Sequence, residues 1–235
     1  MTASGSSVAS YELRPAGRFS LEAARGFAGG FSPGIGGGGV DAGGIVMAFP
    51  VEDWQGSAVA RVSQAPSGVV RIELVTTGGA DPHTARRQVE RCLSLDVDGT
   101  GWPEVGRRDP VIGRLQERHD FLRPVCFYSA YEAVTSFVIG QRIARRQGAR
   151  IQATLAEQLG EHLELDGVRY AAFPRPQRLL DLGAVPGLAA VKVERLRGLA
   201  RAALDGALDT QRLRALPRDQ AIEELRRLNG VGGFT

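Results

Sequence analysis

Residues 225–235 read LRRLNGVGGFT, and how that stretch is taken decides the fold. It closes the run RDQAIEELRRL at 218–228, whose apolar residues recur at the spacing of a helix with one buried face. Gly230 and Gly232 then let the backbone turn tightly and approach another molecule closely. The exposed amides of such a turn, with the N-terminus of a following helix, make a site for an anion such as a phosphate. A plainer reading stands beside it: glycine ends many helices for structural reasons alone.

Working back from the turn, the second half reads as helical throughout. DPVIGRLQER (109–118), SAYEAVTSFVIGQRIARRQGARIQATLAEQLGE (129–161), RPQRLLDL (175–182) and LAAVKVERLRGLARAAL (188–204) all carry apolar residues at three- and four-residue spacing. Short connections rich in Pro and Gly separate them.

The first half has the other period. Stretches 44–51, 57–64 and 68–75 are short and rich in Val and Ile, and Pro66-Ser67-Gly68 marks a hairpin, which predicts an antiparallel meander. At 81–95 a helix is predicted, with Asp81 as cap, Pro82 in its first turn, and Val89, Cys92 and Leu93 on one face. A further amphipathic helix is predicted over 19–27, and residues 1–10 read as a disordered leader. Gly34–Gly39 formally matches a dinucleotide fingerprint, but no strand precedes it and no helix follows, so it reads as a surface loop. The fold class is therefore α+β: a small antiparallel sheet with helices over 1–106, then an all-α domain over 107–235.

Composition narrows the function classes. An apolar share of 43% and a charged share of 23% belong to an ordinary globular protein, and no apolar run is long enough to span a bilayer. Cys92 and Cys126 are too few for a disulfide scaffold, and His83, His119 and His162 fall in no ligand pattern. The N-terminus lacks the basic start and apolar core of a signal peptide, which implies a cytoplasmic protein. The net charge is +3, and Lys192 is the only lysine; all other basic side chains are arginines, whose forks suit phosphate.

Three segments together resemble the helix-hairpin-helix DNA glycosylases, and most closely the bacterial DNA-3-methyladenine glycosylase II type. FVIGQRIARRQGARI (137–151) is similar to the family's I-x-G-Q-x-hydrophobic-small segment. FPRPQRLLDL (173–182) with VPGLAAVKVERLRGLARAALDGALD (185–209) resembles its FP-x-P-x-x-L and G-L-x-x-x-K segments. LRRLNGVGGFT resembles its hairpin, and order and spacing agree over roughly residues 110–235.

The resemblance implies an enzyme that rotates a damaged nucleotide out of duplex DNA and hydrolyses its glycosidic bond, releasing alkylated purines such as 3-methyladenine in base excision repair. It implies a DNA-binding hairpin of Asn229, Gly230, Val231, Gly232, Gly233 and Thr235, and a wedge at Arg142 flanked by Gln141 and Ile143. Phe27 and Phe234 would face the extruded base, whose cationic ring an aromatic attracts. Phe27 also reads as core packing, and Arg142 as a solvated residue at a helix end. Relatives that nick the strand carry lysine where this chain has Phe234, which implies a monofunctional enzyme using water. Lys192 reads as a surface or phosphate-facing residue.

In the family the catalytic aspartate follows the hairpin, so it is expected beyond Thr235 in a chain that reads as C-terminally truncated; Asp205, Asp209 and Asp219 match no catalytic position. No cofactor is required, although the resemblance implies a structural K+ or Na+ on the carbonyls of Arg226, Leu228 and Val231. The expected partner is double-stranded DNA with damaged bases, bound by a monomer in the nucleoid, with no membrane association. Alternatives are a shortened, non-catalytic binder of distorted DNA, an 8-oxoguanine glycosylase, which Phe234 disfavours, and a helical protein adaptor.

Overall fold

In the computed structural model the described residues are 6–31, 40–41 and 44–233, so the Gly34–Gly39 loop, Phe234 and Thr235 lie outside them. The chain runs β1 (Ser7–Leu13), α1 (Leu21–Phe31), β2 (Val40–Asp41), β3 (Gly44–Pro50), β4 (Ser57–Gln64) and β5 (Val70–Thr76). These strands form one antiparallel sheet in the order β1-β5-β4-β3-β2, which is the predicted meander with two edge strands added. Residues 7–10 are therefore no leader: β1 pairs along its length with β5, Ser7 opposite Thr76 and Leu13 opposite Val70. The helix expected from residue 19 begins at Leu21, one residue after Ser20, whose hydroxyl accepts from the Ala23 amide.

α2 (Pro82–Cys92) packs on this sheet, and Asp81 caps it by accepting from the amides of His83 and Thr84. Ile45, Met47 and Phe49 of β3 point with Ile72, Leu74 and Val89 into one core. Their neighbours Val46 and Ala48 are equally buried, which a sheet open on one face would not allow.

The cover on that second face comes from the other half of the chain. β6 (His162–Leu165) and β7 (Val168–Ala171) form a hairpin whose Leu163 and Leu165 pack on Val46, Ala48 and Val59. This corrects the all-helical reading of the second half. Its signal was Asp166-Gly167, the pair that favours a two-residue hairpin because both positions need positive φ; they have φ of 51° and 75°. Arg61 of β4 forms an ion pair with Asp166 at the hairpin tip.

The remaining elements are α3 (Trp102–Arg108), α4 (Pro110–Arg118), α5 (Ala130–Gly140), α6 (Arg145–Leu159), α7 (Pro176–Leu179), α8 (Ala190–Leu204), α9 (Thr210–Ala215) and α10 (Arg218–Arg226). Tyr131, Val138 and Ile139 of α5 pack with Leu155 of α6 and Leu196, Leu199 and Ala203 of α8 in a second core. Each fully buried Ile or Leu of this kind contributes roughly 1.5–3 kcal/mol. The two cores are strapped together. Arg175 donates to the carbonyls of Trp54 and Gln55, and the Trp54 ring stands edge-on to Tyr131 at 5.4 Å.

Candidate DNA-facing site

The predicted long helix over 129–161 is broken at the place where the wedge was expected. Ser129 caps α5 by accepting from the Glu132 amide, and the helix ends at Gly140. Gln141 leaves it with ψ of 124°, and Arg142 follows in the left-handed region at φ of 54°, unusual for a residue with a Cβ. α6 then starts after Ala144 with no side-chain cap on its first amides. Arg142 is exposed, as are Arg145, Arg146 and Arg150, and none of the four makes an ion pair with a described residue. The turn and the first turns of α6 thus present four arginines and an uncapped helix N-terminus to solvent, which favours an anion.

The glycine turn lies against this loop. Leu225, Leu228 and Val231 pack on the helical core, so the turn is seated by its apolar side. Its backbone closes through the Val231 amide donating to the Leu228 carbonyl at 3.0 Å. Gly230 has φ of 94°, and a Cβ there would lie 2.7 Å from Cδ of Arg195. The Gln141 Nε2 donates to the Gly230 carbonyl at 2.7 Å, joining two segments 89 residues apart. Asn229 and Gly233 are exposed on the turn.

α8 holds the same junction from behind. Arg195 Nη1 donates to Oε1 of Gln141 at 3.0 Å, and Lys192 Nζ donates to the carbonyls of Ile139 and Gln141 at 2.8 and 2.5 Å. Lys192 is therefore no surface or phosphate-facing residue: only 8% of it is exposed, and it caps the C-terminus of α5, where helix carbonyls lack partners. Desolvation, then the nearby Arg195 charge, pushes its ammonium below the usual lysine range. Sequence spacing could have shown this, because Lys192 falls in the apolar stripe of Leu196, Leu199 and Ala203.

Phe27 lies elsewhere. It is 39% exposed and lines a largely apolar cavity of about 630 Å³ with Val97, Trp102, Val105, Leu122 and Val125. Neither the 141–143 loop nor the glycine turn contributes to that cavity's lining, so the described residues do not bring Phe27 to the wedge. Asp209 caps α9 by accepting from the Arg212 amide, Asp205 ends α8, and Asp219 sits in the first turn of α10. All three aspartates are at helix ends.

A turn of this form after a helix, locked to a broken helix with exposed arginines, on a helical domain joined to a small antiparallel sheet, is an arrangement for which the comparisons point to one class, the helix-hairpin-helix DNA glycosylases, to which this chain is similar in sequence and fold. It is 33% identical over 131 residues to DNA-3-methyladenine glycosylase 2 of Escherichia coli, a match covering 53% of this chain and 45% of that protein. It is 25% identical over 154 residues to DNA-3-methyladenine glycosylase of Bacillus subtilis, covering 63% of this chain and 50% of that one. The chain thus spans about half the length of the curated relatives it matches. Its fold is also that of the 3-methyladenine DNA-glycosylase of Archaeoglobus fulgidus, with a TM-score of 0.73 and 18% identity over 94% of this chain and 75% of that one. No family model matches the chain.

Proposed function

We propose that this protein is a DNA glycosylase of the 3-methyladenine type, whose glycine turn and α5–α6 loop grip duplex DNA. The observation that supports the reading is the hydrogen bond from Gln141 to the Gly230 carbonyl, which joins the loop carrying the exposed Arg142 to the glycine turn. The turn's amides would take a phosphate without reading sequence. Arg142 would fill the gap left by an extruded nucleotide, its planar guanidinium stacking between bases. Phe234, next along the chain from the turn, would offer its face to a cationic alkylated base.

Hydrolysis by water suits this chain better than attack by an amine. Its only lysine is buried and donates to two carbonyls, so Lys192 is in no position to form a Schiff base. We assign the catalytic carboxylate to none of Asp205, Asp209 and Asp219, which stand at helix ends, and the second reading is a non-catalytic binder of distorted DNA. The carbonyls of Arg226, Leu228 and Val231 are hard oxygen donors at a helix C-terminus and fit K+ or Na+, although Leu228 already accepts from Val231. A bound cation would supply positive charge near a phosphate.

The test measures binding of duplexes with and without an abasic-site analogue, alongside base release from alkylated DNA. The 235-residue chain is expected to bind more tightly at low salt, and Arg142→Ala to lower its preference for the abasic duplex about ten-fold, the effect of 1.4 kcal/mol. Binding with base release supports the enzyme, and binding without release supports the second reading. Absence of binding at low salt overturns both.

Gly230→Ala is expected to weaken duplex binding by about ten-fold or more, because positive φ and the Arg195 contact each strain an alanine there. Its melting temperature should fall by only a few degrees, since the turn sits at the edge of the core. Unchanged affinity would remove the turn from the binding surface.

A further inference from the structure

The glycine turn and the α5–α6 loop are distant in sequence, and each is held in part by other segments of the chain. Gln141 is the common member. Its backbone carbonyl is taken by Lys192, its side-chain oxygen by Arg195 and its side-chain nitrogen by the Gly230 carbonyl. Arg195 also stands where a Cβ on Gly230 would be, so the turn rests directly on the same arginine. Both donors project from one helix, α8, three residues apart and so about one helical turn. Lys192 reaches the last carbonyls of α5 and Arg195 the amide beyond them. Arg142 comes next in the chain, at φ of 54° and with no partner of its own among the described residues. What fixes its starting point is the clamp on Gln141.

We infer that Lys192 and Arg195 are positioning residues that lock the Arg142 loop to the Gly230 turn through Gln141, so that seating the turn on a phosphate and inserting Arg142 between bases are one coupled event. This rests on the DNA-binding reading above. With the clamp intact, a phosphate held at the turn sets where Arg142 enters the duplex. With it broken, each element can still touch DNA, but neither sets the other's register. Sharing of the Gln141 amide makes the coupling directional: its oxygen must face Arg195 for its nitrogen to face Gly230.

Gln141→Glu separates the two bonds. It keeps the acceptor for Arg195 and replaces the donor to the Gly230 carbonyl by an oxygen that repels it. Lys192→Met removes the ammonium that donates to the Ile139 and Gln141 carbonyls while keeping an unbranched stem, and it tests the other arm where the variant folds. The experiment is a double-mutant cycle on the full 235-residue chain. It uses a duplex with an abasic-site analogue next to 2-aminopurine, whose fluorescence rises when the neighbouring stack is opened. Arg142→Ala alone is expected to lower affinity for this duplex about ten-fold, but by less than about two-fold in the Gln141→Glu background. Gln141→Glu should also lose most of the fluorescence rise at saturating protein while melting within a few degrees of the parent.

Additive effects with the fluorescence rise retained would show that the loop and turn act independently, and would overturn the coupling while leaving the binding function standing. If the parent chain binds no duplex at low salt, the functional reading falls and the coupling with it.

Discussion

Replacing Arg123 by methionine lowers the melting temperature by roughly 10 °C, the largest stability loss expected of a single substitution here, at about 2–4 °C per kcal/mol for a domain of this size. Arg123 is 7% exposed and forms no salt bridge among the described residues. Its guanidinium donates to four carbonyls instead: Arg18 through Nε, Ser94 and Val97 through Nη1, and Ala16 through Nη2. These carbonyls belong to the segment between β1 and α1 and to the chain just beyond α2, two stretches with no regular structure to satisfy them. A charged donor to a buried carbonyl contributes about 1.5–3 kcal/mol, and the four share one group, so roughly 3–5 kcal/mol in all is reasonable. Methionine keeps the stem's volume but leaves the Arg18, Ser94 and Val97 oxygens without their donor, while Ala16 keeps the Gly99 amide at 2.9 Å. Lysine restores little, since one compact ammonium cannot reach four oxygens spread around a planar fork.

Burial lowers the Arg123 basicity from the ordinary arginine value, yet it remains a cation at any working pH. The effect should therefore be independent of pH between about 5 and 9, which separates it from a titrating site. Thermal melts of the parent, Arg123→Met and Arg123→Lys at two pH values check this. A methionine variant melting within about 1 °C of the parent would mean that water replaces the guanidinium at all four oxygens. The same residue lines the Phe27 cavity, so its loss should loosen that wall as well.

How much of this was legible in the sequence depends on what holds each element. β4 was readable to the residue, because Ala58, Val59, Ala60 and Val62 make a short apolar run with β-branched members and turn residues bound it. β1 was not, because SVASYEL is mostly small and polar; its edge position is set by pairing with β5, not by burying a face of its own. The β6–β7 hairpin was overlooked although Asp166-Gly167 carried the signal, since helical spacing on both sides drew those residues in. At the site, motif spacing picked out Gln141 and Gly230, and the structure joins them. Arg195 was missed because its partner is a side-chain amide 54 residues away that sequence spacing does not bring to it, and Lys192 was misread as a surface residue although its place in the apolar stripe of α8 signalled burial. Phe234 and Thr235 fall outside the described residues, so their place in the site rests on resemblance.

Glu132→Gln is expected to remove most of a pH dependence that the parent shows between about pH 5 and 8. Glu132 is 4% exposed on α5, and its carboxyl accepts from the Tyr128 amide at 3.2 Å. Burial pushes its pKa up to about 8, against which the Tyr128 bond pulls only weakly. In the folded protein the group therefore keeps its proton over a range where the unfolded chain, near 4.5, has lost it. Between those values the native state binds more protons, so stability present below about pH 4.5 drains away as pH rises towards 8. At 1.36 kcal/mol per unit the loss is on the order of a few kcal/mol, or roughly 5–10 °C in melting temperature. Glutamine copies the neutral acid, one acceptor for Tyr128 and one donor group, and carries no charge to be buried. The remaining slope in this window should come mainly from Glu52, whose pKa is also raised by burial, against the opposing pull of Arg91 and Thr210. Asp81, Asp98 and Asp120 are held below the carboxylate range by their hydrogen bonds, so they add an opposite slope only under acid conditions. Melts at pH 5.5 and 8.5 decide the matter: the parent should lose stability across the interval and the glutamine variant should hold it. Parallel curves would mean that Glu132 is ionised in the native protein, with a charge partner that its surroundings do not show.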